Sequence, residues 1–154
     1  MKIASDADRR HLMVGAAAGA MATVVWAAVE PLMARALGHR FTDVRLLGRF
    51  MGPRRAWPAL GLGAHMANGA LFGIMLAAGG PLGFRRVARW VTVETIATWP
   101  LMAVADRVHP DRRAGRWPRL FTSPRVFVQE VIMHAVFAAT LAGFAALIGR
   151  GRTR

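Results

Sequence analysis

Residues 23–36, TVVWAAVEPLMARA, return 69 residues later as residues 92–105, TVETIATWPLMAVA, with eight identities in fourteen ungapped positions. The same shift carries His65 onto His134. A chain of 154 residues that repeats at this offset reads as two tandem copies of one unit, within a single domain by length.

What the unit is follows from the runs around the repeat. Leu12 to Val29, Trp57 to Ala78, Val87 to Ala105 and Val126 to Ile148 are apolar. Only Arg89 and Glu94 interrupt the third run, and only Glu130 the fourth. A helix needs about 20 apolar residues to cross roughly 30 Å of hydrocarbon. A soluble bundle would instead bring polar residues to the surface every three or four positions. The expectation is an all-α polytopic membrane protein with four transmembrane helices, about 12–35, 57–78, 85–105 and 124–148. Repeat one covers 12–78 and repeat two 85–148. An even number of spans per repeat inserts both copies the same way, so the pseudo-two-fold axis lies along the membrane normal.

The net charge of +13 comes from twenty Arg and one Lys against eight acids. A nucleic-acid partner is not expected, because no basic stripe with interleaved aromatics exists outside the flanks of the apolar runs. There the arginines suit anionic lipid headgroups. Four spans place both termini on one side of a bacterial-type inner membrane, the choice of Arg over Lys with abundant Ala and Gly pointing to a GC-rich bacterial genome. Nine Lys and Arg fall on the terminal side and twelve on the other, which leaves the orientation undecided. Lys2, Arg9 and Arg10 before the first run resemble an export signal. The repeat argues for retention, since the run is one of the paired elements.

Between the first two spans, Thr42 or Asp43 can cap a short helix. Val44, Leu47 and Met51 share one face and Arg45, Arg49, Arg54 and Arg55 lie elsewhere. Segment 43–51 therefore reads as an amphipathic helix in the interface, ended by Gly52-Pro53. Trp57 marks the headgroup level, and Trp117, Leu120 and Phe121 in the long arginine-rich loop are expected at the membrane surface. Gly15 with Gly19, and Gly69 with Gly73, form GxxxG stripes that let backbones approach closely in lipid. Ala139 and Gly143 repeat the spacing. Pro31 is expected to kink or end the first helix.

Ionisable side chains inside a span are costly and mark function by default. The candidates are His65, Glu94, Glu130 and His134, with Asn68 and Gln129 nearby. Two histidines from two helices at one depth are a ligand set for haem b, with Gly61, Gly69 and Ala138 leaving room for the porphyrin. Interhelical hydrogen bonds of the neutral imidazoles account for them equally well. A proton, ion or metal pathway through His65, His134, Glu94 and Glu130 is a further reading. A transporter would show a water-accessible cavity at Glu94. Glu30 is expected to be interfacial, paired with Arg35. With no cysteine and no serine inside a span, nucleophilic catalysis has no carrier.

Taken in order, several features carry a resemblance: Gly15-x3-Gly19-x2-Ala22-Thr23 with Trp26, Asp43-x3-Leu47-Gly48, Trp57-x7-His65-x3-Gly69-x2-Phe72-Gly73, and His134-x8-Gly143. The chain resembles a broad group of uncharacterised small four-span bacterial and archaeal membrane proteins. It departs from them at Ala138, where they repeat the glycine, and in its longer arginine-rich loop. The resemblance implies a four-helix membrane fold and no activity. The function expected from the sequence is that of a structural or accessory subunit, or a homo-oligomer, with no catalytic centre. A haem b electron carrier and a proton or ion pathway are the alternatives.

Overall fold

A capping box starts the first helix: Ser5 Oγ accepts from the Asp8 amide (3.2 Å), and the Asp8 carboxylate accepts from the Ser5 amide (3.1 Å). In the computed structural model, which describes residues 5–52 and 55–150, α1 then runs over Asp6–Ala36. Lys2, Pro53 and Arg54 lie outside the described residues. Pro31 does not end the helix. Glu30 and Ala34, on either side of it, are both buried and hold the chain helical until Leu37, after which Gly38 turns it with a positive φ of 76°.

The remaining elements are α2 (Asp43–Met51), α3 (Trp57–Ala78), α4 (Phe84–Thr98), α5 (Leu101–Val108), α6 (Pro110–Arg113) and α7 (Pro124–Arg150). No strand occurs among the described residues. Pro58 suits the first turn of α3, and Gly79-Gly80 close it. The segment expected as one helix over 85–105 is two, α4 and α5. Pro100 has no amide hydrogen for the ladder, so the bonds across it become shorter-range ones, from Met102 N to Trp99 O and from Ala103 N to Pro100 O. Trp99 and Pro100 keep helical dihedrals, so the break is a kink in one rod.

Three helices, α1, α3 and α7, are long and apolar enough to cross a membrane, at 31, 22 and 27 residues. Each buries a third or less of its apolar length within the chain. The rest is open, with Met13, Leu71, Met75 and Leu147 all more than half exposed. A soluble domain would leave far less contiguous apolar surface uncovered, so the chain is a membrane protein.

The GxxxG stripes of α1 and α3 meet. A Cβ on Gly19 would overlap the Gly69 carbonyl oxygen, and one on Gly15 the Gly73 carbonyl oxygen. Bare backbone therefore faces bare backbone, and van der Waals contact at this range holds helices together in lipid. α7 packs on the other side of α1, and α4 packs on α7. The main core lies between them, around Trp26, Met133, Phe137 and Leu141.

A second, smaller core joins the loops at one end. Phe41, Ala105, Trp117, Leu120 and Val126 are its buried members. Trp117 and Leu120, expected at the membrane surface, are 3% and 0% exposed, and only Phe121 is open. The indole Nε1–H of Trp117 donates to the Arg40 carbonyl at 3.1 Å, which draws the ring inward. Asp111, fully buried, accepts from Arg45 at two nitrogens (2.8 and 3.1 Å) and from Arg116 (2.8 Å). That clamp fixes α2 from outside. From inside, Gly48 and Gly61 let the backbones of α2 and α3 touch, the Val44 carbonyl filling the space a side chain on Gly61 would need.

Candidate functional site

Docked this way, α2 closes one wall of a cavity of about 510 Å³. Five of the six polar residues singled out from the spans line it: His65 and Asn68 from α3, Glu94 from α4, and Glu130 and His134 from α7, while Gln129 does not. Asp43 of α2 joins them. Its polar lining on α3 and α7 lies about 9–17 Å in from the start of those helices, counting 1.5 Å per helical residue, at the arginine-rich end of the bundle.

Glu94 sits at the open side, its side chain 30% exposed. Its Oε2 is 3.0 Å from His134 Nε2, while His134 Nδ1 is 2.7 Å from the Glu130 carbonyl oxygen. Both ring nitrogens thus face oxygen. The carbonyl can only accept, so Nδ1 donates to it and carries a hydrogen. The remaining contact joins a carboxylate oxygen to Nε2 and needs one more proton. That proton lies on the ring or on the carboxyl, and the Glu94–His134 pair holds it in either form.

Deeper in, Glu130 Oε2 is 3.9 Å from His134 Nδ1. Glu130 in turn belongs to a group of three carboxylates, with Glu30 and Asp43, that bring oxygen atoms within 4.8 Å of one another. Glu30 and Glu130 are 1% and 2% exposed. Among the described residues no Lys or Arg lies within ion-pair distance of any of the three. In a chain with twenty arginines this separation is a property of the fold. The compensation is partial: the Asp43 amide, at the N-terminus of α2, donates to Glu30 Oε1 at 2.8 Å, where the helix dipole favours negative charge. Among the described residues Glu30 Oε2, Glu130 Oε1 and the Gln129 amide oxygen have no hydrogen-bond partner.

Glu30 is therefore no interfacial partner of Arg35. Arg35 is exposed and Glu30 is buried against the start of α2. Arg35 is five residues on, about 140° around the helix, a phase signal present in the sequence. Asp43 and Trp26 were also missed as site residues. Asp43 reads as a capping residue and nothing more until α2 is docked.

A bis-histidine haem does not fit these residues. Both nitrogens of His134 are engaged with oxygen, and the Trp26 indole stands edge-on to both imidazoles, at 5.4 Å from His65 and 4.7 Å from His134 between ring centres. The space expected at Gly61 and Gly69 is filled by the backbones of α2 and α1, and Ala138 is buried in the main core. His65 Nε2 is buried without a partner.

At the loop end, His109 stacks on Trp117 (4.3 Å, 12°) and its Nδ1 accepts from the Asp111 amide at 3.2 Å. Burial holds the His109 imidazole below its ordinary pKa, which keeps Nδ1 free to accept. Burial pushes the Asp111 carboxyl up, but hydrogen bonds from Arg45 and Arg116 and the nearby charge of Arg45 and Arg49 outweigh it and hold the group below the usual aspartate value.

A scan of protein-family models and searches of curated proteins and of solved structures return no match for the chain.

Proposed function

We propose that the protein is a four-span integral membrane protein that takes up protons at Glu94 and passes them through His134 to the Glu130, Glu30 and Asp43 carboxylates. The observation that carries this reading is the run of proton-binding groups from a partly open residue to buried ones, each within 4.8 Å of the next, with no Lys or Arg at ion-pair distance from the carboxylate cluster among the described residues. Ionisable groups inside a span cost several kcal/mol, and Asp, Glu and His chains at this depth are the usual components of proton relays. The cavity, with Glu94 partly exposed in its wall, leaves this run open on one side.

Four crossings are supported by the ends of the helices. Arg86, at the start of α4, donates to the carbonyls of Leu76 and Gly80, and His11 of α1 also meets Gly80 (3.2 Å). At the other end Ala105 of α5 packs with Phe41 and Trp117. The kinked rod therefore runs the length of α1. Its 25 residues are about 37 Å long, enough to cross. The tandem repeat, α1 with α3 and α4–α5 with α7, gives each half one long hairpin.

The test is proton uptake into sealed liposomes carrying the reconstituted protein, read with an internal pH dye. Wild type is expected to exceed empty liposomes. Glu94→Gln and His134→Asn are each expected to cut the rate by about a hundredfold, the usual contribution of a positioned proton-transfer group. A wild-type rate no faster than empty liposomes would sink the reading.

A second reading, an accessory subunit or homo-oligomer, is favoured by one observation. Nothing lies within 4 Å of a Cβ built on Gly143, so the Ala139–Gly143 face of α7 is open. Cross-linking in native membranes that is lost in Gly143→Leu would support it.

A further inference from the structure

We propose that Glu30, Asp43 and Glu130 form a binding site for a hard divalent cation, with the Gln129 amide oxygen as a fourth donor. The inference deepens the relay reading by naming the ion against which protons exchange, and it rests on that reading for this role only.

Three carboxylates in one place do not make a site, because such clusters can share protons or face solvent. Here the neighbouring group decides the chemistry. Gln129 is completely buried, and its Nε2 donates to Glu30 Oε1 at 3.5 Å, which sets the amide against the cluster. Its Oε1 has no donor. Neither has Glu30 Oε2 or Glu130 Oε1. Three buried oxygen acceptors, from three side chains on two helices, thus make no hydrogen bond among the described residues, although the Trp26 indole and the Val44 amide stand near Glu30. Protonating the carboxylates would supply donors to some of them. A divalent cation satisfies all of them with one particle, and it neutralises most of the charge.

The donor set selects the ion. It holds no thiolate, and its donors are carboxylate and amide oxygens, which suit magnesium, calcium and manganese. Oxygens no more than 4.8 Å apart lie within reach of one ion. Calcium takes six to eight oxygens in flexible geometry, whereas magnesium demands a near-ideal octahedron and keeps several waters, so an irregular, buried set of protein oxygens favours calcium. Asp43, on α2 and only partly buried, is the donor with most room to adjust.

The experiment uses the full chain in mild detergent, titrated with Mn2+ and read by the loss of the free-ion electron paramagnetic resonance signal. Wild type is expected to bind one Mn2+ per chain, displaced by Ca2+ at lower concentration than by Mg2+. Glu130→Gln is expected to weaken binding by at least about tenfold, since the loss of even outer-shell partners costs that much. Asp6→Asn, an exposed carboxylate at the far end of α1, is expected to stay within about twofold. Asp43→Asn, on the partly exposed helix, repeats the test if Glu130→Gln does not fold.

Mn2+ that stays free, or that binds equally to wild type and both donor variants, overturns the site. Proton uptake measured on the same preparations separates the two readings. Uptake without Mn2+ binding removes the metal site and leaves the relay. Mn2+ binding without uptake keeps the site and removes its role in exchange.

Discussion

Asp111 shows how one buried carboxylate sets the position of a whole element. It takes hydrogen bonds from Arg45 and Arg116, and Arg49 stands 3.8 Å away. Removing a buried charge partner usually costs about 3–5 kcal/mol. The arginines here are partly solvated, at 28% and 41% exposure, so Asp111→Asn is expected to cost about 2 kcal/mol, measured by thermal unfolding in detergent. The pH dependence follows from the same residues. Folding favours neutral His109 and ionised Asp111. The His109 contribution is complete above its ordinary pKa of 6.5 and is lost as the pH falls through the lowered folded value. The Asp111 contribution is complete above 3.8 and is lost at still lower pH. The His109 and Asp111 contributions to stability are thus both expected to shrink on acidification from pH 7. His109→Asn, which keeps a capping side chain, is expected to flatten the slope that sets in as the pH falls below 6.5. An unchanged slope would assign it to other groups, His39 first, since burial lowers its pKa as well.

At the scale of elements, the small-residue stripes divide into two kinds that the sequence does not separate. Gly15 and Gly19 face the carbonyls of Gly73 and Gly69, whereas Gly143 faces open space. Gly19→Leu is therefore expected to cost more than about 2 kcal/mol, since it must push α1 off α3, while Gly143→Leu stays within about 0.5 kcal/mol in the isolated chain. Equal losses in unfolding titrations would show that α1 and α3 do not meet through these glycines. The same contrast explains what was legible. Run length and glycine spacing are local, so α3 begins and ends where the apolar run does, and α2 occupies the expected 43–51. The division of the third helix depends on whether neighbours hold a proline in the ladder. Pro31 and Pro100 fall on each other under the 69-residue shift, yet only the first lies between two buried side chains. The site divides in the same way. His65, Glu94, Glu130 and His134 were legible because any ionisable group in an apolar run is conspicuous. Asp43 was not, because only the docking of α2, through Gly48 and Gly61, brings it to the cavity.

For the whole molecule the undecided quantity is the parity of the crossings. If α1, α3 and α7 alone crossed, three spans would put the start of α1 and the end of α7 on opposite sides. The packing argues otherwise. Ala7 and His11 near the start of α1 share a surface hollow with Ala145 and Gly149 near the end of α7, and the α4–α5 rod returns the chain between them. The polar cavity sits near the far end, below loops that carry most of the arginines, so parity also decides which compartment supplies the ion. The chain contains no cysteine, and single cysteines can be labelled without background. Asp6→Cys and Gly149→Cys are expected to react together with an impermeant maleimide in vesicles of one orientation, and Arg113→Cys only in the inverted ones. If Asp6→Cys and Gly149→Cys react from opposite sides, three helices cross and the α4–α5 rod does not. Glu94 would then stand outside the hydrocarbon, and its proton would be held at the surface instead of within a relay.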